Sequence, residues 1–461
     1  MHRYQINPTR KYFNFGGRVP PVQLEKTPAE IPASGPHTHP KLITDTTMRD
    51  GAQDPCFAVF HNVAKLKYFD LLHSLDNGTR VIDAVEVFIY HKRDLWTLDK
   101  LLERGYEVPR VTTWTRATPK DIRDLVQVSE GRITETGMLA SCSDHHIFDR
   151  LGFRSKEEAV ERYLAPIMTA CEHGITPRVH LEDATRADIE GWVLPFISRV
   201  MEETKGKACF RICDTLGIGV PDPYAALPLG IPRLVSTVYN ASGAELEFHG
   251  HNDLGYATAN SMAALRYGCK RVNVAFAGLG ERTGNTAMEQ VLLNYVREYD
   301  DPGFKLEVLE EIAALLQAEV GPIPEKHPIV GSNIFTTQAG LHQTGIQRQD
   351  EAPGGLIYLP FAPGLVGCQG AELNRIGALS GMDGIISVLN RYEKSPGVQQ
   401  YRFTGVSKLI KLIYDQIQDA YDGHYDQTQD KYVGYRTTFF EVEELVEMVE
   451  QIQKEQHDSS E

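Results

Sequence analysis

No apolar run in this 461-residue chain approaches the ~20 residues that a membrane-spanning helix needs. Cysteine is sparse and scattered: the seven, at 56, 142, 171, 209, 213, 269 and 368, include no CxxC pair. That excludes a disulfide framework and fits a reducing compartment. Basic residues are in deficit, with 47 Lys and Arg against 62 Asp and Glu, or 47 − 62 = −15. A nucleic-acid partner is thereby disfavoured, because phosphate neutralisation needs clustered cations. Anionic substrates remain open, since a metal and a few local arginines can reverse the sign inside a pocket. There is no GxxxxGK[ST], hence no P-loop, and GLGERTG lacks the GxGxxG spacing of a dinucleotide site. No signal-peptide core follows Arg3, Arg10 and Lys11, so the expected location is cytoplasmic. There is no internal repeat.

The length allows a large core and more than one compact unit. Residues 1–40, rich in Pro and Gly, read as an irregular arm. From 41 to 300 short β-rich runs alternate with amphipathic stretches. The runs fall at 42–48, 81–88, 109–116, 133–141, 176–182, 208–214, 245–251 and 271–276; FHNVAKLKYFDLLHSL and KEEAVERYLAPIMTACEHG are typical of the intervening segments. Such alternation implies parallel βαβ units. Eight of them in roughly 250 residues match a (β/α)8 TIM barrel; a doubly wound open sheet is the structural rival. Residues 301–461 read as an α-rich C-terminal region.

In a (β/α)8 barrel the reacting groups sit at the C-terminal ends of the strands. Here those ends read DTTMRDGAQ, VEVF, TTWTRA, SCSDHH, RVHLEDATR, CDTLG, EFHGHND and AGLGERTGN. One polar cluster could be a helix cap or a turn; a cluster at nearly every strand end is a site. His249 and His251 alternate along a strand and point to one side. A lone HxH also suits a buried neutral pair. Asp50, ending the first strand, joins them once the barrel closes. An Asp with two His, and Asn285 as a further oxygen, suits Mn²⁺ or Mg²⁺, with Zn²⁺, Co²⁺ or Fe²⁺ as alternatives.

These segments resemble a known family. DTTMRDGAQ is similar to the DTTLRDGEQ signature of the DRE-TIM metallolyases, and EFHGHNDLGYATANSMAAL and GLGERTGN are similar to its second and third signatures. PIVGSNIFTTQAGLHQTG resembles the post-barrel segment of its Claisen-condensing branch, the isopropylmalate, homocitrate, citramalate and Re-citrate synthases. The resemblance spans about 42–382. It implies the barrel, a divalent metal, acetyl-CoA and a 2-oxo acid as substrates, and a homodimer whose C-terminal region completes the partner's site.

Residue by residue, the resemblance makes Asp50, His249 and His251 metal ligands, with Asn285 the weaker fourth. It puts Arg49 against the developing enolate oxygen, where a fixed guanidinium stabilises charge that appears only in the transition state. Gln53 would brace the same loop. Glu247, His342 and Tyr358 match a relay for deprotonating the weak carbon acid that a Claisen step requires. Arg178 matches the arginine with which homocitrate synthases hold a distal carboxylate. From the residues alone it could instead pair with Glu182, since Arg178, His180 and Glu182 alternate into the barrel. Thr215 matches a contact to the oxo acid's carboxylate, and Glu86, Arg116 and His146 match pocket-lining positions.

There are departures from the pattern. Ala52 stands where Glu is usual and Met48 where Leu is usual, and the chain beyond 400 is too short and helical for a leucine-binding regulatory domain. The ASCSDHHIFDRLG and HLEDATRADIEG runs resemble most the Re-citrate synthases and phosphinomethylmalate synthases. The expectation is an acyltransferase joining acetyl-CoA to a dicarboxylic 2-oxo acid, oxaloacetate first. Homocitrate, isopropylmalate, citramalate or phosphinomethylmalate synthesis are the alternatives. A hydroxymethylglutaryl-CoA-type lyase shares the barrel and metal site but presents a Cys-containing loop after the barrel. A binding protein on a decayed barrel should have lost a ligand, and none is missing.

Overall fold

The structure is a computed structural model and describes residues 22–32, 40–348, 356–392 and 402–458. Most of the expected N-terminal arm lies outside them. Its described part, 22–32, is irregular and runs along the loop at 220–226, where Leu24 bridges Ala225. The chain divides into a compact unit ending at Ile323 and a second beginning at Pro324.

The first unit holds the eight expected strand–helix repeats. They are β1 Leu42–Asp45 and α1 Asn62–Asp76, β2 Ile82–Val87 and α2 Lys92–Glu103, β3 Arg110–Thr115 and α3 Pro119–Val128, and β4 Glu135–Ser141 and α4 Lys156–Glu172. The second half continues with β5 Thr176–Glu182 and α5 Leu194–Thr204, β6 Cys209–Asp214 and α6 Ile231–Ser242, β7 Leu246–Gly250 and α7 Ala257–Tyr267, and β8 Arg271–Val274 and α8 Met288–Tyr299. All eight strands are parallel, and β1 pairs with β8 to close a barrel. The open-sheet rival is excluded. Local chemistry starts the helices: the Thr118 hydroxyl accepts from Asp121 N ahead of Pro119, and Ser155 accepts from Glu158 N. A ninth helix, α9 Val308–Glu319, packs on α1.

The apolar core lies between strands and helices, with Tyr68, Phe69 and Leu72 of α1 and Phe196 and Ile197 of α5 fully buried. Inside the strands the usual Val, Ile and Leu filling gives way to charge. Arg178 and Arg211 are the largest fully buried side chains, and Glu86, Glu135 and Glu247 surround them.

In the second unit, α10 Gly340–Arg348 is followed by α11 Met382–Arg391, α12 Lys408–Asp422, a small hairpin of β9 His424–Asp426 and β10 Lys431–Val433, and α13 Val442–Asp458. Ile410, Ile413 and Ile417 repeat at helical spacing on α12 and meet Ile385, Leu389, Leu445 and Val449 in a core of its own. Among the described residues no helix is long and apolar enough to cross a membrane.

Candidate active site

At the C-terminal mouth of the barrel, Asp50 begins the turn after β1, His249 lies on β7 and His251 just past it. One ligand atom from each lies within 4.8 Å of the others, and all three residues are buried. The two Nε2 atoms face each other at 3.3 Å, and Asp50 Oδ2 is 3.9 Å from His251 Nε2. The outer nitrogens are committed: His251 Nδ1 meets Gly284 O at 3.2 Å, and His249 Nδ1 meets Asn273 Oδ1 at 2.8 Å. Asn273 Nδ2 donates to Thr44 Oγ1, so its oxygen is the end offered to His249. Both imidazoles therefore carry their proton on Nδ1 and point bare Nε2 lone pairs at one another. Burial keeps both rings neutral, and the Arg49 guanidinium, helped by the hydrogen bond from Asn285, outweighs burial to hold Asp50 below the usual carboxylate range. Two lone pairs and a carboxylate converging on one point repel each other unless a cation sits among them. Asn285 donates to Asp50 Oδ2 at 2.8 Å and leaves Oδ1 buried without a partner. The donor set fits a divalent metal with open positions.

Arg49 donates to Asp50 at 2.6 Å and to Glu86 at 2.9 Å, and lies over the Trp114 ring at 5.9 Å. Beneath it is the charged column. Glu86 also accepts from Thr46 at 2.9 Å, from Arg211 at 3.1 Å and from Arg178. Burial alone would raise its carboxyl; Arg211, Arg178 and Arg49 hold it well below the ordinary range. Glu247 receives Arg211 Nε at 2.7 Å and the Thr44 hydroxyl. Against its burial, Arg211 and Arg178 hold it below the ordinary range. It lies one same-face step beneath His249 and is an anion.

Arg178 departs from its expected surroundings. It is fully enclosed, donates to Glu135 at 2.6 Å and to Glu86, and does not touch Glu182. Glu182 instead meets Arg150, Ser141 and His146, whose Nδ1 is 3.3 Å away. Burial raises its carboxyl, but these partners bring it down to about 2. His146 sits on a π-helical turn, His145–Arg150, after β4, also within 3.6 Å of Asp183. Thr215 accepts from Asp183 N at 2.8 Å. Arg116 turns outward instead of lining the barrel: it is exposed, binds Asp121 of α3 and covers Tyr90 at 4.5 Å. Gln53 is exposed and lines a cavity of about 290 Å³ with Phe60, Lys65 and Phe88.

In the second unit His342 and Tyr358 stack, with ring centroids 4.2 Å apart. A Cβ at Gly345, one turn along α10, would collide with the Tyr358 ring, so that glycine admits the pair. Sequence reading missed Arg211 and Arg150 and gave His180 no role. For Arg211 the available signal was its alternation with Cys213 and Thr215 along β6.

A parallel eight-stranded barrel carrying a buried Asp–His–His group at its C-terminal mouth defines a barrel enzyme with a candidate metal site. The chain belongs to the HMGL-like family, whose model matches residues 41–316. Citrate (Re)-synthase of Clostridium kluyveri is 39% identical over 317 residues, covering 67% of this chain and 69% of that protein. Citrate (Re)-synthase of Syntrophus aciditrophicus is 34% identical over 387 residues, covering 82% of this chain and 60% of that longer protein. The 2-phosphinomethylmalate synthase of Streptomyces hygroscopicus is 31% identical over 365 residues, covering 77% and 80%. The chain is a Claisen-condensing acyltransferase of this family.

Proposed function

We propose that the protein condenses acetyl-CoA with oxaloacetate, giving citrate and free CoA. The observation that carries this reading is the Asp50–His249–His251 group set directly above buried arginines, a place for a 2-oxo carboxylate above and a second carboxylate below. A second carboxylate in a barrel interior is costly unless a cation meets it. The relatives named citrate synthases support the same acid.

A divalent cation, Mn²⁺ or Mg²⁺ first, held by Asp50, His249 and His251 with Asn285 beside them, would supply Lewis acidity to the 2-oxo carbonyl. Thr215, with His146 beside it, orients the acid's first carboxylate, and Glu182 holds His146 and Arg150 in place. Arg49, fixed by Glu86 and Asp50, stabilises the enolate oxygen as the acetyl methyl loses its proton. His342 and Tyr358 handle protons, contributed in a homodimer by the partner subunit, as the family resemblance implies. Glu247 enters this relay as a fixed negative charge. The enolate carbon bonds to C2 of the acid, the carbonyl oxygen gains a proton, and water then cleaves the thioester to release CoA. Gln53 and Arg116 belong to the rim, which the acyl carrier crosses.

The test is thiol release from acetyl-CoA with oxaloacetate, 2-oxoglutarate, 2-oxoisovalerate or pyruvate, with and without Mn²⁺. Oxaloacetate should give the highest kcat/KM. Preference for 2-oxoisovalerate would overturn the reading.

A further inference from the structure

The strand register layers the barrel interior. Cys213 pairs with His249 at the level of the metal group; one same-face step lower, His180 pairs with Arg211 and Arg211 with Glu247. That step is about 6.6 Å. Arg178 lies another step down, beside Cys209, with both terminal nitrogens held by Glu135 and Glu86. Anything reaching down from the mouth meets the layer of His180, Arg211 and Glu247 before it meets Arg178.

Both residues leave a buried nitrogen unused. His180 Nε2 and Arg211 Nη2 are buried with no hydrogen-bond partner. Arg211 uses Nε on Glu247 and Nη1 on Glu86; Nη2 is 2.8 Å from Glu86 Oε1 but off the line of a hydrogen bond. A buried polar atom without a partner costs free energy that a ligand can recover. Burial and the neighbouring Arg211 keep the His180 ring neutral, so one of its nitrogens carries a proton to donate. A mid-strand glycine, normally unfavourable, makes room for the ring: a Cβ on Gly137 would lie 2.6 Å from His180 Nε2 and 2.8 Å from Cε1. The imidazole thus occupies the space over β4 where a side chain would stand.

We propose that His180 and Arg211 form the floor of the substrate pocket, receive the distal carboxylate of the 2-oxo diacid and set its length. The proposal rests on the diacid reading above. A four-carbon diacid held by its first two carbons at the metal level brings its far carboxylate about one strand step lower, onto these two donors. One more methylene drives that carboxylate into the imidazole. Arg178 then acts beneath the floor by fixing Glu86 and Glu135, and does not touch the acid.

The experiment measures kcat and KM for thiol release by the full-length protein with oxaloacetate, 2-oxoglutarate and pyruvate. The variants are His180→Ala, His180→Gln and Arg211→Lys. His180→Ala should lower kcat/KM for oxaloacetate about ten- to a hundred-fold, mainly through KM, since a hydrogen bond to a charged group is lost. It should shift the oxaloacetate-to-2-oxoglutarate ratio at least about tenfold towards the longer acid. His180→Gln, which returns a donor, should recover part of the oxaloacetate activity. Arg211→Lys should hurt oxaloacetate more than pyruvate. If the wild type turns over oxaloacetate well and none of these ratios moves, the floor assignment is overturned while the diacid reading stands. If the wild type prefers 2-oxoisovalerate or pyruvate, both fall together.

Discussion

Replacing Glu86 with Gln removes one negative charge from the centre of the column and changes little else in shape. Its carboxylate, wholly out of water, faces the three guanidinium groups of Arg49, Arg178 and Arg211. After the change each arginine keeps a carboxylate: Asp50 for Arg49, Glu135 and, at 3.5 Å, Glu247 for Arg178, and Glu247 for Arg211. Each loses its partner at the centre. The new amide also turns a donor towards donors. Breaking a buried pair in this way costs about 3–5 kcal/mol. At about 3 kcal/mol per M of urea, the unfolding midpoint of the barrel should fall by about 1–1.7 M. The assay is direct because Trp96, Trp114 and Trp192 all lie in the first unit, so their fluorescence follows the barrel alone. Replacing Glu86 and Arg178 together by Leu and Met should recover most of the loss, since apolar groups of similar volume need no counter-charge. A midpoint shift under ~0.3 M for Glu86→Gln, with unchanged slope, corresponds to less than ~1 kcal/mol. That result would refute the idea that this carboxylate holds the column together.

Removing divalent metal with a chelator should abolish thiol release and added Mn²⁺ should restore it; full activity in metal-free protein would sink the role given to Asp50, His249 and His251. His249→Ala should bind Mn²⁺ far more weakly in equilibrium dialysis, because a ligand is lost. Burial pushes Asp45, the last residue of β1, up to about 7 despite hydrogen bonds with Thr47 and Tyr68. Its folded pKa exceeds the unfolded ~3.9, so the folded state holds the extra proton, and stability falls as pH rises from about 4 to about 7. Between pH 5 and 8 the wild type should lose roughly 3 kcal/mol relative to Asp45→Asn; parallel urea midpoints for the two proteins would contradict this. Mixing inactive Arg49→Ala and His342→Ala proteins should regain part of the activity if subunits exchange, and demonstrated heterodimers with none would rule out donation in trans.

The barrel was legible because eight strand–helix alternations fill its length and nearly every strand ends in a polar cluster, and every expected run contains its observed strand. The Asp50–His249–His251 group was legible because alternation puts both imidazoles on one side and closure brings β1 beside β8, one strand from β7. Pairings within the interior were not. Period-two alternation says that Arg178, His180 and Glu182 share a face. It does not say which carboxylate each will meet, because that depends on the stagger between strands. Glu182 found Arg150 on a π-helical turn with no sequence signature, and Arg178 found Glu135 on the neighbouring β4 and Glu86 on the more distant β2. Arg116, one residue beyond β3, was free to turn towards Asp121. Arg211 was overlooked because a lone arginine in FRICD is inconspicuous until Glu247 stands beside it.

The ionic interior also bears on how such a protein changes over time. A barrel lined with aliphatic side chains can drift one methyl group at a time, since neighbouring volumes adjust independently and the effects nearly add. Glu86, Arg178, Arg211 and Glu247 share partners, so the effect of altering one depends on the state of the other three. Losing any single member strands a charge in a dry interior. Lineages that keep this quartet should hold all four positions together, and those that abandon it should show several replaced at once. A shift to a new acid would then come in a concerted jump, with His180, the uncharged member of that layer, as the position where gradual change remains open.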